Sequence, residues 1–370
     1  MGKLCLIFNT PSLYRQLIYK EIDRVFDCAW HFGDWDANVK SFDTKSLSHP
    51  VRFLHVRRPG KSWFYFSGIN PLLRKTEYDK YLMIGDVHDL ATWRMLISKK
   101  IFHRKKKIYF WTHGWYGKET NIERMIKKMF YKMADGVFLY GNHAKKLMIE
   151  EGFKESKLFV IHNSLEYNTQ LSLRQSLKPS DLYSAHFNNN NKNIIFIGRL
   201  TEVKHLDLLI KSVAKLKGRG EYYNITFVGD GTQRKQLENL TSQLGLSETI
   251  WFYGASYDEK INAEFIFNAD LCVSPGNVGL TGIHTMMFGT PVITHDNYPM
   301  QMPEFEAVIP NKTGAFFKQN SEDSLCYTIQ EWFKLKGNKR EEVRMDCYNE
   351  IDTQWNPDFQ MKIFKSVLDL

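Results

Sequence analysis

Two cations stand five residues apart where an apolar run breaks off. In NIIFIGRLTEVKHLDLLIKSV the buried-strand pattern ends at Gly198 and Arg199, Lys204 follows, and an amphipathic helix begins near Leu206. A glycine lets backbone approach a ligand closely, and an arginine can grip a phosphate with two parallel hydrogen bonds. With a lysine at the same rim and free amides at a helix start, the segment offers what a diphosphate leaving group requires. A surface Arg and Lys in an ordinary strand-to-helix turn is the plain alternative.

A second segment, residues 274–296, reads SPGNVGLTGIHTMMFGTPVITHD. The strand ADLCVSP ends at Pro275, Gly276, Asn277 and Gly279 make a flexible turn, and Leu280 and Thr281 open a short helix that stops at Gly289. The first amides of such a helix again face an anion. His284, one turn inside, can donate to a ribose hydroxyl or a phosphate, or can serve the helix structurally. In the first half, KIYFWTHGWYGKE sets His113 at a strand end beside Gly114. There it can meet a substrate or merely cap the turn.

Together these segments resemble the glycosyltransferases of family 4 (group 1), well over residues 193–330 and more loosely before them. The resemblance rests on GRL at 198–200 with Lys204, GDG at 229–231, WFYG at 251–254 and the 274–292 segment. It implies an α/β chain of the GT-B class, with two Rossmann-like doubly wound domains facing a central cleft. It further implies a UDP- or GDP-sugar donor, a saccharide acceptor and retention of anomeric configuration; no cofactor is expected, and the basic segment at 99–107 points to a lipid-linked acceptor. Arg199 and Lys204 would hold the diphosphate, with Gly198, Asn277, Gly279, Leu280 and Thr281 around it. Backbone at Tyr253 and Gly254 would border the base, and His113 would lie near the donor sugar. Arg199, Lys204 and His113 are thus the expected catalytic groups. Glu306 resembles the acidic residue before the family's D-G-x-T-G turn, here PNKTG. There is one departure. The family carries two glutamates eight positions apart, one at the donor sugar and one at the ribose, and here Gly276 and His284 stand in those places.

The elements that must position these residues alternate. LCLIF, KYLMIGD, KIYFWTHG, GVFLYG and LFVIHNS read as strands of a first parallel sheet, and the strand-helix alternation restarts at NIIFIGRL. Polar residues just past the C-terminal ends of such strands are where open α/β sheets bind ligands. Residues 166–192 are rich in Ser, Asn and Gln and read as a linker. The expected organisation is a first domain over 1–165, that linker, a nucleotide-sugar domain over 193–355, and a helix over 356–370 packing back on the first domain.

Composition narrows the remaining classes. At 370 residues with 14% aromatic content the chain can bury two cores and is not disordered. Its five cysteines are scattered without a CxxC pair, which argues against a disulfide framework or a zinc site, and no carboxylate cluster suggests another metal. Residues 1–165 hold 29 Lys/Arg against 16 Asp/Glu, and the remainder 21 against 25. The basic excess peaks in KKIFHRKKK, residues 99–107, which with the apolar Leu90, Trp93, Leu96, Ile97 and Ile101 ahead of it suits an anionic membrane surface. The helix expected over 121–134 reads instead as a solvated basic face over a core-facing stripe of Ile122, Met125, Ile126, Met129, Phe130 and Met133. No run is long enough to span a bilayer, and the N-terminus reads as a strand and not a leader. The expectation is a cytoplasmic protein, peripheral on the inner face of the cell membrane. Nucleic acid is the competing partner for the basic patch, disfavoured because no binding motif accompanies it. A nucleotide-sugar 2-epimerase of GT-B shape and a non-catalytic binding protein are the competing functions.

Overall fold

The computed structural model describes residues 2–34, 40–58 and 62–368 of the chain. Residues 1–166 with 357–370 form one compact unit, and residues 167–356 the other. Each is taken by itself.

In the first unit the strands β1 (Lys3–Phe8), β2 (Cys28–Gly33), β3 (Val51–Leu54), β6 (Tyr78–Ile84), β7 (Lys107–Thr112), β8 (Gly136–Leu139) and β9 (Leu158–Val160) make one sheet in the order β3-β2-β1-β6-β7-β8-β9. Every neighbouring pair in it is parallel. A two-stranded antiparallel ribbon, β4 (Val56–Arg57) with β5 (Tyr65–Phe66), lies outside the sheet. Helices α1 (Gln16–Val25), α2 (Ile69–Leu72), α3 (Leu90–Phe102), α4 (Asn121–Lys132), α5 (Asn142–Glu150) and α14 (Pro357–Leu368) belong to this unit. One apolar cluster joins Ala91, Met95 and Leu96 of α3 to Phe130 of α4 and Met148 of α5. A second joins Ile18, Tyr19 and Ile22 of α1 to Met361, Phe364 and Leu368 of α14. Phe364 packs 5.2 Å from the Trp111 ring and 4.7 Å from Phe138. Strands buried on both sides need continuous apolar runs, as in LCLIF of β1 and GVFL of β8, whereas the edge strand β3 is largely exposed. The last two residues of the expected C-terminal helix, 369 and 370, lie outside the described residues.

In the second unit β10 (Lys192–Ile197), β11 (Tyr223–Val228), β12 (Ile250–Gly254), β13 (Leu271–Ser274), β14 (Val292–His295) and β15 (Gly314–Phe317) run in the order β12-β11-β10-β13-β14-β15. All pairs are parallel. The order reverses between β10 and β13, so a crevice opens beyond their carboxyl ends. The helices are α6 (Tyr167–Ser176), α7 (Leu182–Phe187), α8 (Leu206–Lys217), α9 (Arg234–Gln243), α10 (Glu259–Asn268), α11 (Leu280–Met287), α12 (Glu322–Lys336) and α13 (Arg340–Gln354).

Two expectations give way here. Residues 166–192 are not a bare linker, because α6 and α7 occupy most of them and belong to the second unit. Isolated aromatic contacts and polar contacts hold these helices: the Tyr183 ring lies 6.1 Å from Phe265 and its hydroxyl donates to the Phe265 carbonyl at 2.7 Å, the His186 ring stacks on Trp251 at 3.6 Å, and Arg174 pairs with Asp352 at 2.8 Å. The stripe expected to face the core from 121–134 also divides. Phe130 is buried and stacks on Phe110 at 4.8 Å, whereas Ile122, Met125 and Met129 are 67%, 64% and 57% exposed. Three- and four-residue spacing generates two adjacent stripes on one helix, and only one of them can face the sheet. Among the described residues no helix is long and apolar enough to cross a membrane.

Candidate functional site

The site is built from the carboxyl ends of β10 and β13. Gly198 follows β10 at φ 143°, a conformation that favours glycine, and a Cβ there would stand 3.3 Å from Thr281 Oγ1. The Thr281 hydroxyl donates to the Ile197 carbonyl at 2.9 Å, clamping the first turn of α11 against the end of β10. Gly229 lies so close behind that a Cβ on it would meet the Gly198 carbonyl oxygen at 1.9 Å. The GRL and GDG segments therefore pack backbone to backbone, with the Leu200 amide donating to the Asp230 carbonyl at 2.9 Å.

Arg199 is exposed and, among the described residues, its guanidinium makes no hydrogen bond or ion pair. Lys204 is part-buried, and its ammonium donates to the Asn277 carbonyl at 2.7 Å and to Asn277 Oδ1 at 2.8 Å. Burial brings Lys204 down to about 8, with Glu304 opposing that shift and Arg199 adding to it. The loop it holds is braced from behind. Gln301 accepts from the Val278 amide at 2.9 Å and donates to Thr294 Oγ1 at 2.9 Å, and Thr294 donates to the Ser274 carbonyl at 2.9 Å. Gly279 caps α11 at φ 53°, leaving the amides of Leu280 and Thr281 at the open start of the helix. Gly198, Arg199, Lys204, Asn277, Gly279, Leu280 and Thr281 thus share one corner, which offers two side-chain cations and a helix N-terminus to an anion.

Tyr253 and Gly254 close β12, and the Gly254 carbonyl accepts from the Gly229 amide at 2.7 Å, which ties them to the same sheet end. Tyr253 is 38% exposed beside Phe265, with ring centroids 4.6 Å apart. Glu306 lies in the short 3-10 turn Pro303–Ala307, ahead of the PNKTG turn.

The two departures from the paired-glutamate pattern differ in kind. At Gly276 a Cβ would meet the Val203 carbonyl oxygen at 2.0 Å and Lys204 Cα at 2.8 Å. No side chain fits there while the loop keeps this path, so the glycine is a packing requirement. His284 is part-buried, and its Nε2 lies 2.8 Å from Glu259 Oε1. Gln170 donates to the same oxygen at 2.8 Å. Burial works to raise the Glu259 carboxyl, but His284 with the hydrogen bonds from Gln170 and Asn262 together hold the group below its ordinary value. A carboxylate therefore stands behind His284, supplied by the first residue of α10. The spacing within residues 274–292 gave no sign of Glu259.

In the first unit His113 follows β7 and is half-buried, its ring 4.8 Å from Tyr140 and 5.8 Å from Tyr116. Nδ1 has no partner among the described residues. Burial, with Arg15 and Lys127 adding, lowers His113 to about 4, so the ring is neutral at pH 7. Its loop is folded around Glu119, which accepts from the amides of Tyr116 and Gly117 at 2.8 Å each and pairs with Lys127 at 2.7 Å. Arg15, unremarked in the sequence, is 8% exposed and reaches the hydroxyls of Tyr140 and Tyr19, with its guanidinium 5.2 Å from the Trp111 ring. Among the described residues no carboxylate pairs with it. Asp23, Cys28 and His49 lie within ligand reach of one another. Asp23 already accepts from Trp30 Nε1 at 2.7 Å and the Ser48 amide at 2.6 Å, the bonding of a structural hub.

Residues 181–350 match the glycosyl transferases group 1 family. An uncharacterized glycosyltransferase of Methanocaldococcus jannaschii is 29% identical over 145 residues, 38% of this chain and 36% of that one. The O-antigen biosynthesis glycosyltransferase WbnH of Escherichia coli is 23% identical over 64% of this chain and 63% of its own. The chain spans 28–67% of the length of the curated relatives it matches. Among solved structures, HepE of Anabaena in complex with UDP superposes with a TM-score of 0.72 at 16% identity, covering 100% of both chains. The chain has the GT-B fold of two Rossmann-like units, and its residues 181–350 are similar to the glycosyl transferases group 1 family.

Proposed function

We propose that the chain is a retaining glycosyltransferase of the family 4 kind, moving a hexosyl or related sugar from a UDP- or GDP-sugar to a saccharide acceptor. The observation that carries this reading is the corner where Arg199, Lys204 and the start of α11 converge at the β10/β13 switch point. When the bond from the anomeric carbon to the β-phosphate oxygen breaks, negative charge grows on the departing diphosphate. Arg199, Lys204 and the α11 amides are set to receive it, and each such donor is worth roughly 10²–10³-fold in rate. On this reading the side-chain cations take the part a divalent metal plays elsewhere, and no cofactor is needed. His113, neutral at pH 7, donates or accepts a hydrogen bond at a sugar hydroxyl and does not act as an imidazolium acid.

The acceptor is proposed to be lipid-linked, in bacterial surface polysaccharide or glycolipid synthesis, as the O-antigen relative's name suggests for that protein. The enzyme would then work on the cytoplasmic leaflet as a peripheral protein, with residues 99–107 turned to anionic lipid. Incubating the protein with a panel of UDP- and GDP-sugars and following donor consumption tests the reading. Consumption that falls at least ~100-fold in Arg199→Ala and Lys204→Ala supports it. Turnover unchanged in both variants refutes the site. Binding without consumption would favour a non-catalytic protein, and interconversion of donor epimers would favour an epimerase.

A further inference from the structure

Four of the six cations in residues 99–107 already have a partner within the fold. Lys99 and Lys107 pair with Asp135 at 2.7 and 3.5 Å, Lys106 donates to the Tyr78 carbonyl at 2.7 Å, and Arg104 Nε donates to the Lys100 carbonyl at 3.1 Å. On α4 the same holds: Arg124 and Lys128 share Glu151, and Lys127 pairs with Glu119. Lys100, Arg104 and Lys105 are exposed and make no ion pair among the described residues. Charge alone is therefore a thinner basis for membrane binding than the sequence suggests.

Apolar side chains are the larger exposed feature. Ile122, Met125 and Met129 project from one face of α4 at 57–67% exposure, and α3 exposes Ile97, Ile101 and Phe102 at 50%, 55% and 75%. Both helices pack their inner sides into one cluster on the same face of the sheet, with Trp93 of α3 5.0 Å from Phe130 of α4. A Thr120–Glu123 capping box fixes the start of α4, so the stripe is held on an ordered helix. Large apolar groups exposed beside unpaired cations suit an anionic lipid surface. A second copy of the chain fits poorly, because it would set Lys100, Arg104 and Lys105 against their own like charges.

We propose that the outer face of α4, with Ile101 and Phe102 of α3, inserts into the interfacial layer of an anionic membrane, while Lys100, Arg104 and Lys105 select the lipid charge. The proposal deepens the membrane reading above and is independent of the donor chemistry. Sedimentation of the full chain with phosphatidylglycerol or phosphatidylcholine vesicles, at low and high salt, tests it. The triple variant Ile122→Ser, Met125→Ser, Met129→Ser is expected to bind at least ~10-fold more weakly at both salt concentrations. The triple variant Lys100→Gln, Arg104→Gln, Lys105→Gln is expected to lose the preference for phosphatidylglycerol. All five native cysteines are buried, so Met125→Cys can carry an environment-sensitive fluorophore, expected to shift to shorter wavelength on vesicle addition. Vesicle binding unchanged by the serine variant, no fluorophore shift, or self-association of the parent chain abolished by the serine substitutions would each overturn the proposal. An unchanged far-UV circular dichroism spectrum and thermal melt serve as the folding control for every variant. Absence of nucleotide binding by the parent chain, with vesicle binding intact, would count against the donor reading and not this one.

Discussion

Nε2 of His284 and Oε1 of Glu259 lie 2.8 Å apart, joining the second turn of α11 to the first residue of α10. This relationship returns a carboxylate to the neighbourhood where the resemblance leads one to look for a glutamate in α11. Glu259→Gln keeps the shape and removes the charge. On the proposed donor reading it is expected to weaken UDP or GDP binding by about tenfold, the worth of one charge-assisted hydrogen bond. Titration calorimetry checks this, and an unchanged Kd would make the pair purely structural.

The Glu259 carboxyl also carries a stability signature. Its value is lowered in the folded protein, so its stabilisation is fully present above the ordinary 4.5 and fades as pH falls through the lower folded value. The Tm advantage of the parent chain over Glu259→Gln should therefore shrink below about pH 4.5. A constant difference from pH 7 to pH 3 would contradict it.

Gly276 sets a second test. Restoring a side chain where the family has glutamate looks like a gain, but Gly276→Ala drives a Cβ onto the Val203 carbonyl at 2.0 Å. Overpacking of this kind costs about 1–3 kcal/mol. The variant should melt several degrees lower and bind nucleotide less well, since the displaced backbone carries Lys204. Thermal melts with and without nucleotide decide it.

His113 gives a pH test in the first unit. Its folded value of about 4 lies below the ordinary 6.5, so the folded state resists protonation. Stability contributed by the neutral ring is full above 6.5 and declines as pH falls towards 4. His113→Phe should lose that dependence, flattening the slope of Tm against pH in this window.

These tests turn on features of unequal legibility. The ends of β10 and β13 were readable because a parallel strand buried on both faces is an apolar run, and such runs stop abruptly at Gly198 and Pro275. Glu259 was not readable, because 25 residues and a crossover separate it from His284 and only folding brings them together. The exposure of Ile122, Met125 and Met129 was hidden for a different reason. Periodicity shows that a helix has an apolar stripe and leaves open which of two adjacent stripes the sheet takes. Within residues 166–192, α6 and α7 left no apolar period because isolated aromatic contacts, hydrogen bonds and the Arg174–Asp352 pair hold them.

If the corner around Lys204 seats a nucleotide diphosphate as proposed, Lys204 makes that binding pH-dependent. With burial setting its value near 8, the ammonium is charged below that pH and lost above it. Donor KM should therefore rise as pH passes 8. Lys204→Arg, which stays charged, should flatten that rise.

The most direct measurement compares a nucleoside diphosphate with its bare nucleoside by calorimetry, using whichever of UDP and GDP binds. Arg199→Ala and Lys204→Ala should each weaken the diphosphate by at least ~10-fold and leave the nucleoside unchanged. Equal affinity of parent and both variants for the diphosphate would contradict the anion seat.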